Sequence, residues 1–300
     1  MRTEPLIAVF TKNRTNAAYA GARLGADRTA QRLGARTMHF VPQEPDDIGE
    51  QIALVSQALA ARPDAFVFTP VHESAVDASI GDIDAAGIPL VNIINRMQRG
   101  NRITFVGSDD RALATGVAER LFAHLRGRGD IVIMQGTPGS ITSRTRLAGF
   151  LDAARRHSGI SVLEQCAGDY QHEPARRAMQ VLLARHARID GVLCANDVMA
   201  LGAIEAMAAA GRMIPVVGVN ALPDAISAIK RGTLLATVDF DAMKIGCIAT
   251  EAAVRHLRGE RMPVEIMLPV EVVDAGNCAP WDRPIEAREC PRWEDVVRSG

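Results

Sequence analysis

Residues 190–210, DGVLCANDVMALGAIEAMAAA, decide the fold. Gly191 to Cys194 are small or apolar and read as a short buried strand. Apolar residues then return at helical spacing, at Met199, Leu201, Ile204 and Met207. A strand passing directly into a helix is one strand–helix unit of a parallel sheet, and Asn196-Asp197 stands at the junction. A helix start needs one polar cap. With Asp197 as the cap, Asn196 is left over at a strand's carboxyl end, where open α/β sheets bind their ligands.

The same alternation runs outward in both directions. Strand candidates are LIAVF (6–10), RTMHFV (36–41), AFVFT (65–69), PLVNII (89–94), ITFVG (103–107), DIVIMQ (130–135), ISVLEQ (160–165), GVLCA (191–195), PVVGV (215–219) and LLATVDF (234–240). Ala-, Leu- and Arg-rich helical windows such as AGARLGADRTAQRL (20–33) separate most of them. Strands alternating with helices predict parallel sheets covered on both faces. Ten strands exceed one comfortable open sheet, so two α/β lobes are expected. FTPVHESAVDASI (68–80) repeats the strand–turn–helix plan of 193–205. From Gly276 the chain turns rich in Pro and charge and holds both tryptophans; this reads as an irregular tail, 281–300, packed back onto the body.

Bulk properties narrow the function. The 300 residues are 48% hydrophobic and 23% charged, with a net charge of −1, so no basic footprint for nucleic acid is present. No apolar run approaches the roughly 18–20 residues of a membrane span. The opening MRTEPLIAVF does not read as a signal peptide, so the chain is cytosolic or a leader was removed before Met1. Cys166, Cys194 and Cys247 fall in apolar stretches and read as core residues. Cys278 and Cys290 lie in the tail, where their spacing does not decide a disulfide. With no CxxC, no HExxH and no ligand spacing among seven histidines, neither a metal nor a cofactor is expected.

The strand ends carry unusual residues: Asn16 and Tyr19 after the first strand, Asn95-Arg96, Arg146 in GTPGSITSRTR (136–146), Tyr170, Asn196, Asn220, and Asp239-Phe240. Each alone has an ordinary structural use, Asn in turns above all. As a set they suit a small polyhydroxylated ligand. Asn both donates and accepts, Arg presents a planar fork of donors, and aromatic faces cover the C–H surface of a sugar ring.

At these residues the sequence resembles the periplasmic sugar-binding proteins of ABC transporters, in the ribose-binding-like group of the type I periplasmic binding fold. The similar segments are 7–35, FVGSDDRALATGVAERL (105–121), IMQGTPGSITSRTRLAGF (133–150), CANDVMALGAIEAM (194–207) and VVGVNALPDAISAIKRGTLLATV (216–238). The resemblance implies two doubly wound lobes joined by a three-crossover hinge, with 1–107 and 241–268 in one and 108–240 and 269–280 in the other. It implies a periplasmic, monomeric protein that closes on its ligand and delivers it to a permease. Ligand contacts would come from Asn16, Tyr19, Asn95, Arg96, Arg146, Tyr170, Asn196, Asn220 and Phe240, with Asp197 capping its helix.

The chain departs from the resemblance in two ways. Ribose-type members carry Asp-Arg where this chain has Asn95-Arg96, and Asp where it has Asn220; IPLVNIINR is also one residue longer than usual. Losing two carboxylates while keeping two arginines leaves positive charge to be compensated, by Asp239 or by an anionic ligand such as a sugar acid; the alternative is a neutral sugar or polyol whose oxygens accept from both arginines, with trapped water completing the shell. On strand alternation Asp239 faces away if Phe240 faces the cleft. An enzyme is not expected, because Ser140 and Cys194 have no histidine placed beside them by the pattern. The alternative is the sugar-sensing domain of a transcription regulator that lacks its DNA-binding part.

Overall fold

The all-apolar run at Leu6–Phe10 becomes the buried strand β1. A strand apolar at every position belongs in the middle of a parallel sheet covered on both faces. The computed structural model describes residues 4–14 and 16–297. It divides the chain into two units: Met1–Ser108, Asp241–Leu268 and Arg288–Gly300 form unit 1, and Asp109–Phe240 and Pro269–Ala287 form unit 2. The chain therefore passes between units after residues 108, 240 and 268, and the tail adds a further passage after residue 287.

Unit 1 continues with α1 (Ala17–Leu33), β2 (Arg36–Phe40), α2 (Ile48–Ala61), β3 (Ala65–Phe68), α3 (Asp77–Ala85), β4 (Leu90–Ile93) and β5 (Thr104–Gly107). Unit 2 supplies α4 (Asp110–His124), β6 (Arg128–Gln135), α5 (Ile141–Arg156), β7 (Gly159–Ala167), α6 (His172–Arg185), β8 (Gly191–Cys194), α7 (Asp197–Ala209), β9 (Val216–Val217), α8 (Pro223–Lys230) and β10 (Ala236–Asp239). Then come α9 (Ala242–Leu257) and β11 (Glu265–Met267) of unit 1, β12 (Glu271–Asp274) of unit 2, and α10 (Trp293–Val296) of unit 1.

The unit 1 sheet has the order β11-β5-β4-β3-β1-β2, all parallel. The unit 2 sheet has the order β12-β10-β9-β8-β6-β7, with only β12 antiparallel. All ten strands read from the sequence are present. β11 and β12 are additional edge strands; the three residues of β11 and the charged ends of β12 hid their pattern.

In unit 1, Phe10, Phe40, Phe66 and Phe68 stack into one cluster over the sheet, with ring centroids 4.9–5.7 Å apart. Covering helices α1 and α9 meet through small residues. A Cβ on Gly25 would strike the Met243 carbonyl, and one on Gly246 the Ala22 carbonyl, so glycine is what lets these backbones touch.

The tail overturns one expectation about the cysteines. Cys247, on buried α9, is not a free core residue but is bonded to Cys290, with Cα atoms 6.0 Å apart, and Cys278 is a buried free thiol. Arg255 of α9 adds to this anchorage, stacking 4.9 Å over the buried Trp293 ring and pairing with Glu294.

Candidate functional site

In unit 1 the polar groups gather where β1, β3 and β4 end. Asn16 is the N-cap of α1: its Oδ1 accepts from Ala18 N at 2.9 Å, and its own N–H donates to Asn13 Oδ1 at 3.0 Å. Tyr19 lies half-buried in the first turn of the same helix. The same strand end carries a residue that the sequence reading missed. Lys12 is only 2% exposed, with its ammonium 3.5 Å from the Asp46 carboxylate. A buried lysine at a strand's carboxyl end is an unusual donor, and only its position two residues after an apolar strand could have flagged it.

Asn95 is buried and ties two strand ends together. Its Nδ2 donates to the Pro70 carbonyl at 3.2 Å, and its own carbonyl accepts from Asn92 Nδ2 at 2.8 Å. Within this stretch Ile94, a β-branched residue, sits at φ 59°. That conformation is strained for such a side chain, and strain of this kind gathers at functional sites. Arg96 leads elsewhere. Its guanidinium pairs with Glu265 of β11 and lies 4.0 Å from the Phe105 ring centroid. The Arg96 hydrogen bond in turn holds the Glu265 carboxyl below its ordinary range.

Unit 2 brings Arg146, Tyr170, Asn196 and Phe240 together around the end of β8. Arg146, 4% exposed, donates through Nε to Asp110 at 2.8 Å and through Nη1 to the Ala195 carbonyl at 2.7 Å. Its guanidinium lies 5.7 Å from the buried Phe240 ring. Tyr170 sits at φ 58°, and its ring occupies the space a Cβ at Gly136 would need.

The structure gives the helix cap to the other member of the polar pair. Asn196 is the N-cap of α7, its Oδ1 accepting from Met199 N at 2.9 Å and its Nδ2 donating to the Tyr170 carbonyl at 3.2 Å. Asp197 caps nothing. Fully buried, it accepts from Thr237 Oγ1 at 2.6 Å and Leu222 N at 2.9 Å, and burial raises its pKa to about 6. Gly218 makes room for it, since a Cβ there would collide with the Asp197 carboxylate.

Asn220 is 7% exposed at φ 123°, anchored by its N–H to the Val238 carbonyl at 2.8 Å. Its Oδ1 and the Ser140 Oγ at the head of α5 are buried and lack a hydrogen-bond partner among the described residues. Such groups are costly unless something supplies the missing bond. Ligand hydroxyls can supply it.

Each of the two arginines has an acidic partner that the strand-end residues did not include, Asp110 for Arg146 and Glu265 for Arg96. Cys194 is wholly buried, and desolvation pushes its thiol well above its ordinary value, which suppresses the nucleophilic thiolate.

Comparison with known proteins gives one consistent picture. The family model described as periplasmic binding protein domain matches residues 7–261. A ribose import binding protein of Bacillus subtilis is 29% identical over 267 residues, covering 89% of this chain and 85% of its own. The crystal structure of an ABC transporter periplasmic solute-binding protein from Actinobacillus succinogenes with bound D-allose superimposes with a TM-score of 0.87 at 26% identity, covering 91% of this chain and 98% of that one. An ABC transporter solute-binding protein from Bacillus halodurans with bound myo-inositol gives 0.86 at 26% identity, covering 94% and 98%.

Proposed function

We propose that this chain, which belongs to the periplasmic binding protein domain family and is a sugar-binding solute protein, takes a neutral sugar or cyclic polyol. The observation that carries the neutral reading is the Arg146–Asp110 pair. A guanidinium with a half-buried counter-ion still donates to ligand hydroxyls, but it does not demand a carboxylate. Asn220 Oδ1 and Ser140 Oγ supply acceptors for hydroxyl protons, and the Phe240 and Tyr170 rings supply apolar cover. In unit 1, Asn16, Tyr19 and Lys12 are the polar candidates at the strand ends. Arg96, held on Glu265, is the weakest candidate of the set.

Delivery to an ABC transporter permease and residence in the periplasm follow from the same reading. The Cys247–Cys290 bond supports the location, since structural disulfides persist in oxidising compartments. The sugar-sensing domain of a regulator shares the fold, but no observation favours it. Calorimetric titration with D-ribose, D-allose, myo-inositol and ribonate tests the reading. A neutral ligand should bind and ribonate should not; preference for ribonate overturns the neutral assignment.

A further inference from the structure

Unit 2 has a second concave region, at the opposite ends of its strands. Asn196, Asn220 and Phe240 follow the carboxyl ends of β8, β9 and β10. Ile214 and Pro215 precede β9, and Leu235 precedes β10; with Ile204 and Met207 of α7 they line a pocket of about 390 Å3. Small-molecule sites run from roughly 300 to 1,000 Å3 and are lined mainly by apolar side chains with a few polar groups. The sheet holds this lining in place: Val192 N donates to the Pro215 carbonyl, and Leu235 N to the Val216 carbonyl, both at 2.9 Å.

The ionisable lining has one sign. His124 at the end of α4, Arg212 after α7 and Arg231 after α8 line the pocket, and no acidic residue does. Basic residues near helix ends often bind the last carbonyls. Here the backbone closes those carbonyls itself. Gly211 N and Arg212 N donate to Ala208 and Met207 at 3.0 and 2.9 Å, and Gly232 N and Thr233 N to Ile229 and Ala228 at 2.9 and 3.0 Å. Arg212 gives one side-chain bond, to the His186 carbonyl at 3.2 Å, and the exposed Arg231 has no polar partner among the described residues. Spare guanidinium donors beside apolar side chains match a ligand that is apolar along its body and anionic at its head.

We propose that this pocket is a second binding site, for a small molecule with an apolar body and a single carboxylate, such as a medium-chain or aromatic acid. The body lies against Ile204, Met207, Ile214 and Leu235, and the carboxylate takes its hydrogen bonds from Arg212 and Arg231. Met213, 98% exposed at the mouth, adds a flexible thioether that adapts to the shape of the ligand. A sugar has no apolar body for this lining, and an apolar acid lacks the hydroxyls that the Asn-rich strand ends would bond. The inference is independent of the sugar-binding reading.

The probe is anilinonaphthalene sulfonate, an apolar anion that fluoresces when removed from water, with octanoate and octylamine as competitors. Wild type should bind one dye per chain; octanoate should displace it and octylamine should not. Two variants at exposed positions locate the dye. Arg231→Glu reverses the charge, and Ala208→Trp fills the pocket from α7. Each should weaken dye binding about tenfold, with a melting temperature near that of wild type showing that it folds. Four results overturn the proposal: binding that does not saturate, equal competition by octylamine, unchanged dye affinity in either variant, or displacement of the dye by D-ribose, D-allose or myo-inositol. None of the four bears on the sugar reading, which calorimetry tests separately.

Discussion

Thr237 Oγ1 donates to Asp197 Oδ1 at 2.6 Å, joining β10 to the head of α7 past the intervening β9. The other carboxylate oxygen holds Leu222 N, at the start of α8. One buried acid thus ties together α7, the start of α8 and strand β10. Asn196 carries the cap that Asp197 leaves free.

This arrangement sets a pH dependence. Burial raises the Asp197 pKa from 3.8 to about 6, so its ionisation opposes folding. The penalty is absent below the unfolded value, grows as pH rises between the two values, and is constant above about 6. Asp197→Asn mimics the neutral form. Its stability relative to wild type should improve on the order of 3 kcal/mol between pH 4 and pH 7. Urea unfolding of both proteins across that range measures the difference, and a pH-independent gap would contradict the assignment.

Asn196 uses its two side-chain atoms differently. Asn196→Ala loses both the cap and the bond to the Tyr170 carbonyl, and should cost about 1–2 kcal/mol of stability in addition to affinity. Asn196→Asp keeps the capping oxygen and loses only the donor. It should recover most of the stability while binding sugar weakly. Equal melting temperatures for the two variants would count against the cap.

Removing the counter-ion of Arg146 should alter ligand preference. Asp110→Asn leaves the guanidinium with less compensation, so ribonate should gain on ribose by roughly 1 kcal/mol, about fivefold. The ratio of the two affinities, measured at low and moderate salt, is the relevant quantity. No change in that ratio would mean that Asp110 does not set the charge of the site.

The tail bond should be stabilising. Cys247 and Cys290 are 43 residues apart, and closing a loop of that size restricts the unfolded chain by about 4 kcal/mol at most. Cys290→Ser, or wild type under reductant, should melt at a lower temperature. Identical melting in all three states would exclude a stabilising bond.

Much of the fold was legible because alternating apolar strands and helical windows are local signals. The strand ends were legible for the same reason, since Asn, Arg and Tyr after an apolar run are visible without partners. What was hidden depends on residues far apart in sequence. Asn196 and Asp197 are both competent caps, and the choice is made by Gly218 and Thr237, which supply space and a donor for the acid. Asp110 lies 36 residues from Arg146 and Glu265 lies 169 from Arg96, so the charge balance could not be read from the motifs. The Cys247–Cys290 bond joins a helix to a tail whose course no periodicity describes.

That bond also changes how the molecule carries mechanical load. A pull applied at the two chain ends passes through the sulfurs directly from Cys290 to α9, so β11, β12 and the 3-10 turn at Ala279–Trp281 bear no tension while the disulfide is intact. Those 43 residues are hidden length. Stretched between its termini, the oxidised protein should fall short of its full contour by roughly 140–155 Å, and reductant should release that length in a single step.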